Sequence, residues 1–265
     1  VIPFFSTFTG IGGFDLGLER ATWRCVGQCE IEPFCNAVLE KHWPNVWRHT
    51  NVKTLTGELI RANCGELGAL VGGPPCQPAS VAGQRRGAAD DRWLWPDYLR
   101  LVSEINDAQE QPLLWVLAEN PRGVASLEID GIQFNEWLAG EFGVRGYDLL
   151  PLKLAAEDFG APHRRERLFY IGRLADTSSV GLPLTAMHKE VYEPAHRQEI
   201  ESCPVVAWPE RPSQVGTISP EVDGISGDVA GWLKPRLTAI GNAIVPQCAE
   251  VIGRAILEST FSRER

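Results

Sequence analysis

"VIPFFSTFTGIGGFDLGLERATWRCVGQCE", residues 1–30, decides the expected fold. "VIPFFSTF" is an apolar run of strand length, "TGIGG" a turn, "FDLGLERA" a stretch with helical spacing, and "WRCVGQCE" a second strand. Together they make a βαβ unit of about thirty residues. A glycine turn between strand and helix brings backbone amides and a helix N-terminus close to a ligand, and Gly10, Gly12 and Gly13 give it room. The turn does not match GxGxxG. Glu30 ends the second strand twenty residues after Gly10, where an acidic side chain can take both hydroxyls of a ribose. The two features point to an adenosine-containing cofactor and leave a nicotinamide cofactor and S-adenosylmethionine both open.

The pattern continues outward from this unit. A helix is expected from Pro33 to His42 with the proline in its first turn, and another over 94–108. Further strands are expected at 67–72, 113–119 and 167–172. Strands alternating with helices imply an α/β fold with a mostly parallel sheet covered on both faces. From 174 to 232 the texture changes to scattered Pro, Ser and Gly, which reads as a small irregular insert. It carries nine acidic residues against three basic ones. "AIVPQCAEVIGRAILEST" (243–260) regains helical spacing and is expected to return to the first domain. The expected division is therefore 1–173, 174–232 and 233–265.

Of the 265 residues, 44% are hydrophobic and 22% charged, which suits one large domain or one domain with an insert. No run of eighteen apolar residues appears and the first residues lack the marks of a secretory signal, so a soluble, cytoplasmic protein without membrane contact is expected. The only methionine is Met187, so the natural start is expected to precede this numbering. Seven cysteines, an odd number without a CxxC pair, fit a reducing compartment better than a disulfide framework. Cys25, Cys29 and Cys35 match no zinc spacing and read as core thiols, so no metal is expected. The net charge of −9 argues against a protein coated in basic charge, so any nucleic-acid contact must come from a local patch. One candidate is "PHRRERLFYIGR" (162–173), with Arg164, Arg165, Arg167 and Arg173; a weaker one includes Arg85, Arg86 and Arg92.

Two further stretches carry chemistry. "GGPPCQPAS" (72–80) places Cys76 just past a strand end, in a loop that neither helix nor strand can occupy. A cysteine there is a nucleophile if neighbouring positive charge favours its thiolate, and a bystander thiol otherwise. "VLAENPRG" (116–123) puts Glu119 and Asn120 directly after an apolar strand. A carboxyl at the rim of an apolar sheet can have a raised pKa and serve as an acid; the alternative is a helix or turn cap.

In order, "FTGIGGFDLGLE", "GGPPCQPAS", "AENPRG", "APHRRERLFYIG" and "RLTAIGNAIVPQ" resemble the successive motifs of DNA cytosine-5 methyltransferases, in particular the compact bacterial and phage type. The likeness spans 2–173 and 233–258. It implies a Rossmann-like S-adenosylmethionine-dependent methyltransferase fold acting as a monomer on double-stranded DNA, as in restriction-modification. By the same resemblance, Cys76 would add to C6 of a flipped-out cytosine and Glu119 would hold and protonate N3. Asn120 would order the loop around Glu119, while Arg165 and Arg167 would steady the base and its anionic surroundings. Phe8, Gly10, Ile11, Gly13, Glu30 and Ile31 would cradle S-adenosyl-L-methionine, with Asn51, Val52, Pro75, Leu94 and Asn242 completing its pocket. The insert would hold the target recognition region. The chain departs from the family pattern at Pro121, where valine is usual, at His163 in place of glutamine, and at Asn51 in place of aspartate. The Asn51 carbonyl can still accept a hydrogen bond from an adenine amino group. Two other readings share the motifs: methylation of transfer RNA, and a DNA-binding relative that has lost activity.

Overall fold

The structure, a computed structural model, describes residues 1–75, 93–161, 164–175 and 238–261. Seven strands form one sheet in the order β3-β2-β1-β4-β5-β9-β8. They are β1 (Pro3–Thr7), β2 (Arg24–Cys29), β3 (Trp47–His49), β4 (Ala69–Gly72), β5 (Trp115–Pro121), β8 (Tyr147–Ala155) and β9 (Glu166–Leu174). A separate two-stranded ladder pairs β6 (Glu128–Ile129) with β7 (Ile132–Gln133). The first five strands pair in parallel, and β9 runs antiparallel to both β5 and β8. The mostly parallel α/β sheet expected from the sequence is present, with an antiparallel pair at one side.

The central strands are apolar on both faces, and period-two alternation sorts their residues into two cores. Phe4, Val71 and Leu117 point to one core with Phe14 and Leu18 of α1 (Gly13–Arg20) and Ile252 of the last helix. Phe5, Leu70 and Val116 point to the other, with Ile60 of α3 (Gly57–Cys64), Tyr98 and Val102 of α4 (Trp95–Ala108), and Phe134 and Leu138 of α5 (Phe134–Gly143). The last helix, α6 (Pro246–Phe261), lies against α1. Gly17 and Gly253 allow that approach: a Cβ on Gly17 would collide with Pro246 O and Ala249 Cβ, and one on Gly253 would sit 2.8 Å from Ala21 Cβ. The remaining helix, α2 (Pro33–His42), starts with its proline as expected.

Register places the strand ends in one row. His49, Cys29, Thr7, Gly72, Ala118, Tyr170 and Pro151 are successive cross-strand partners. The chain runs outward from β1 through β2 to β3, then crosses to β4 and β5 on the other side. The reversal falls between β1 and β4, where ligands bind in open parallel sheets, at the carboxyl ends of the strands. Elements without an expectation from the sequence are β3, α3, the β6–β7 ladder, α5 and β8. The insert expected over 174–232 lies outside the described residues from 176 onward, so its outline rests on the sequence.

Candidate active site at the carboxyl ends of the strands

The turn after β1 is built from left-handed backbone. Phe8 has φ 50°, Gly10 φ 58° and Gly12 φ 86°, so two glycines take the conformation without a Cβ clash while Phe8 is held in a strained one. Thr9 pins the turn: its Oγ1 donates to Ser6 O at 3.0 Å and Cys29 O at 3.2 Å. Gly12 and Gly13 are buried, and a Cβ on Gly13 would strike the Ile244 backbone. Among the described residues, nothing lies within 4 Å of a Cβ placed on Gly10, so the turn is open to them there.

Glu30 follows β2 and is 6% exposed. Its Oε2 accepts the Gly10 N–H at 2.6 Å and its Oε1 accepts the Glu32 N–H at 2.8 Å. Each oxygen keeps a lone-pair direction for a further donor. Ile31 beside it is 66% exposed, an apolar side chain next to a carboxylate. Asn51 follows β3; its Oδ1 accepts the Lys53 N–H at 3.0 Å, and Val52 is buried. A carboxylate, an exposed apolar side chain and a glycine opening beside a helix N-terminus fit a nucleoside with a short polar tail.

The second half of the site grows from β4, β5 and β9. Glu119, on β5, is 6% exposed. Its cross-strand partner is Phe169, so Arg167, two residues away on β9, is its diagonal neighbour on the same face. Arg167 Nε lies 2.8 Å from Glu119 Oε1, within ion-pair range but without hydrogen-bond alignment. Burial pushes the Glu119 carboxyl up to about 7, and Arg167 and Arg165 pull it only partly back. The group therefore exchanges a proton near neutral pH.

Asn120 is fully buried. Its Nδ2 donates to Pro74 O at 3.1 Å and also to Glu119 O. The contact ties the strand carrying the acid to the Gly73–Pro75 segment, whose next residue is Cys76. Gly73 sits behind the acid: a Cβ there would be 3.5 Å from Glu119 Oε2. Cys76 itself, with His163 and the arginines at 85, 86 and 92, lies outside the described residues.

Arg165 has φ 30°, a strained value for a side chain with a Cβ. Its Nη1 donates to Gly241 O at 2.7 Å and its Nη2 to Ala243 O. These carbonyls flank Asn242, an exposed residue at the end of a helical turn, 238–242. Pro75 and Leu94 are half-buried at the two ends of the segment between β4 and α4. The basic run read from the sequence is not one patch. Arg173 pairs in register with Trp115 at the start of β5, while Arg167 pairs with Pro121 at its end. Six strand residues separate the two arginines, roughly 20 Å. Two residues in stretches quoted from the sequence had no role assigned there. Ile244, which backs both Gly13 and Gly73, and Gly73 itself acquire their role only when the C-terminal segment folds back.

Cys29 and Cys35 are buried thiols with pKa pushed up to about 12 by burial and by nearby Glu30. Among the described residues, no group of three or more His, Cys, Asp or Glu side chains could hold a metal. Among the same residues, no helix is long and apolar enough to cross a membrane.

Comparison with known proteins agrees with this geometry. Residues 2–216 match the family described as C-5 cytosine-specific DNA methylase. The chain is 35% identical over 170 residues to the Type II methyltransferase M.HgiCII of Herpetosiphon aurantiacus, a match covering 64% of this chain and 36% of the relative. With the Type II methyltransferase M.FnuDI of Fusobacterium nucleatum it is 32% identical over 188 residues, covering 70% of this chain and 51% of the relative. The chain thus spans between a third and about half of these relatives' lengths. Among solved structures, a protein described as a prophage-encoded DNA modification methyltransferase from E. coli superposes with a TM-score of 0.53 at 29% identity, covering 66% of this chain and 47% of that one. A family match over most of the chain makes this protein a member of the C-5 cytosine-specific DNA methylase family.

Proposed function

We propose that the chain transfers a methyl group from S-adenosyl-L-methionine to C5 of cytosine in duplex DNA. The observation that carries the proposal is Glu119: a buried carboxyl at the end of β5, poised near neutral pH, beside Arg167 and joined through Asn120 to Pro74, two residues before Cys76. Bound at the turn after β1, the cofactor supplies an electrophilic methyl group. The chain's own residues prepare the acceptor. Carbon C5 of cytosine is a poor nucleophile while the ring is aromatic, and addition of the Cys76 thiolate at C6 removes that obstacle. Proton donation from Glu119 to N3 neutralises the charge that this addition places on the ring. Arg167 then faces the resulting carboxylate and Arg165 the nearby charge, so the site is stabilised in both protonation states. Once C5 carries the methyl group and the demethylated cofactor is left behind, loss of the C5 proton expels the Cys76 thiolate, and return of the N3 proton to the Glu119 carboxylate restores the neutral aromatic base.

A base within a duplex is stacked on both sides, so the target must turn out of the helix at a cost of a few kcal/mol. The segment 174–232 is proposed as the region that reads the target and fills the space the base leaves. For the cofactor, Gly10, Ile11 and Gly13 give backbone approach, Phe8 and Ile31 apolar surface, and Glu30 acceptors for the ribose; Asn51, Val52, Pro75, Leu94 and Asn242 close the rim.

The test is methyl transfer from labelled cofactor to duplex DNA. Cys76→Ser is expected to abolish transfer while leaving cofactor affinity nearly unchanged, because the thiol faces the base. Full activity in that variant overturns the nucleophile assignment. A duplex with 5-fluorocytosine at the target is expected to trap a covalent complex, since fluorine blocks the final proton loss. Preference for RNA over duplex DNA in competition would move the substrate to the transfer-RNA reading.

A further inference from the structure

One buried polar chain is not used by this chemistry. Asp15, the third residue of α1, is fully buried beneath the cofactor turn. Its Oδ2 accepts the Ser6 hydroxyl at 2.9 Å, and its Oδ1 accepts Gln28 Nε2 at 2.7 Å and the Cys25 thiol at 3.2 Å. Gln28, also fully buried, accepts Arg48 Nε on its Oε1 at 2.8 Å. Arg48 Nη2 donates onward to Trp43 O at 2.6 Å and Leu39 O at 3.2 Å, at the C-terminal end of α2.

The order of these links is fixed by chemistry. A guanidinium only donates and a carboxylate only accepts, so the Gln28 amide can bridge them in one orientation alone. Their positions are fixed by register. Ser6 pairs with Gln28, and Gln28 pairs with Arg48, so the three form one row across β1, β2 and β3. That row lies one residue below the row of strand ends Thr7, Cys29 and His49. The residues past those ends are Phe8 to Gly13, Glu30, and Asn51. Every loop of the cofactor pocket on this side therefore rises from a strand tied to Asp15 by at most two side-chain hydrogen bonds. Apolar packing alone tolerates small sliding of strands. A polar row does not, because any slip leaves a buried donor or acceptor without a partner.

We propose that Asp15 is a positioning residue for S-adenosylmethionine: through Gln28 and Arg48 it sets the relative heights of the three strand ends, and with them the distance between the glycine turn and the Glu30 carboxylate. The proposal rests on reading those strand ends as the cofactor pocket. Asp15 acts only through these neighbours.

The test is isothermal titration of S-adenosylmethionine into purified protein, with steady-state methyl transfer to duplex DNA alongside. Wild-type binding is measured first, since no binding there would overturn the pocket reading itself. With wild-type binding established, Gln28→Leu and Asp15→Leu are expected to raise the cofactor Kd and KM at least tenfold. At saturating cofactor, kcat and the KM for DNA should stay within about threefold. Asp15→Asn, which keeps an acceptor for Gln28 and turns its amide to the reorienting Ser6 hydroxyl, is expected to restore the Kd to within about threefold of wild type. Arg48→Met, at the half-buried end of the chain, is the second variant should the core changes fail to fold; a threefold to tenfold rise in Kd is expected. A merely structural role would lower the melting temperature and the binding stoichiometry with Kd unchanged. Wild-type Kd in the folded Gln28→Leu or Arg48→Met protein overturns the proposal.

Discussion

Glu119 shows how one residue's environment sets its chemistry. At 6% exposure the cost of removing a carboxylate from water exceeds what Arg167 and Arg165 return, so the folded pKa of about 7 lies above the ordinary value of 4.5. The sign for stability follows. A group whose folded pKa is raised contributes stability below its unfolded pKa, and that contribution is lost as pH rises through the folded value. Between pH 5 and pH 8 the unfolding free energy of wild type is expected to fall relative to Glu119→Gln by on the order of 2–3 kcal/mol. Denaturant titrations of both proteins at the two pH values measure it, and equal pH dependence would exclude the assignment. In catalysis the same group must be protonated to donate, so kcat/KM is expected to decline above about pH 7. Asn120→Ala removes the tether to Pro74, two residues before the proposed nucleophile Cys76, and is expected to slow methyl transfer roughly 10- to 100-fold. Cofactor affinity, read by titration, should hold.

At the scale of elements, the α1–α6 contact joins the C-terminal segment to the cofactor turn. Gly17→Ala adds a methyl where Pro246 O and Ala249 Cβ already stand. Overpacking of that kind costs about 1–3 kcal/mol, against about 1 kcal/mol gained in helix propensity. A net loss in melting temperature is expected, accompanied by weaker cofactor binding as Ile244 shifts from Gly13. Gly140→Ala on α5 is the control: none of the described residues lies within 4 Å of its added methyl, so a gain of up to about 1 kcal/mol is expected. The elements that escaped the sequence reading share a physical cause. β8 contains Pro151, which argues against a central strand, and its place at the sheet's edge is what makes the proline tolerable. β3 is three half-buried residues, too short for a period. α3 and α5 are as long as α1 and α2, which the sequence did show, but Gly140 interrupts the propensity of α5.

For the whole molecule, a net charge of −9 means that contact with DNA phosphates must be local. At the strand-end edge, Arg122, Lys153 and Arg164 all pair with the single carboxylate of Glu166, at 2.7, 3.7 and 3.2 Å. The three cations are mostly exposed and Glu166 is the anion they share. Exposed pairs of this kind add little stability, and on the proposed function the carboxylate would compete with phosphate for these cations. Glu166→Gln is therefore expected to tighten binding to duplex DNA at low salt and to steepen the plot of log affinity against log salt by about one. Fluorescence anisotropy across a salt series tests this, and an unchanged slope would mean that these cations do not meet the backbone.

The sequence by itself determined the βαβ opening, the alternation that makes the sheet parallel, and the identity of the chemical groups at its strand ends. It did so because apolar period, glycine turns and a carboxyl after an apolar run are local patterns, each written within about ten residues. Only the tertiary structure decided what those groups are. Register brings Glu119 diagonal to Arg167 across 48 residues, and buries it deeply enough to hold a proton near neutrality. The fold-back of 238–261 gives Arg165 its carbonyl partners and Gly13 its close neighbour. Asp15 was not singled out in the sequence, because its bonds to Ser6 and Gln28 come from two strands that sequence cannot align. Burial and long-range register are properties of the assembled sheet, and they turned a list of reactive residues into a site.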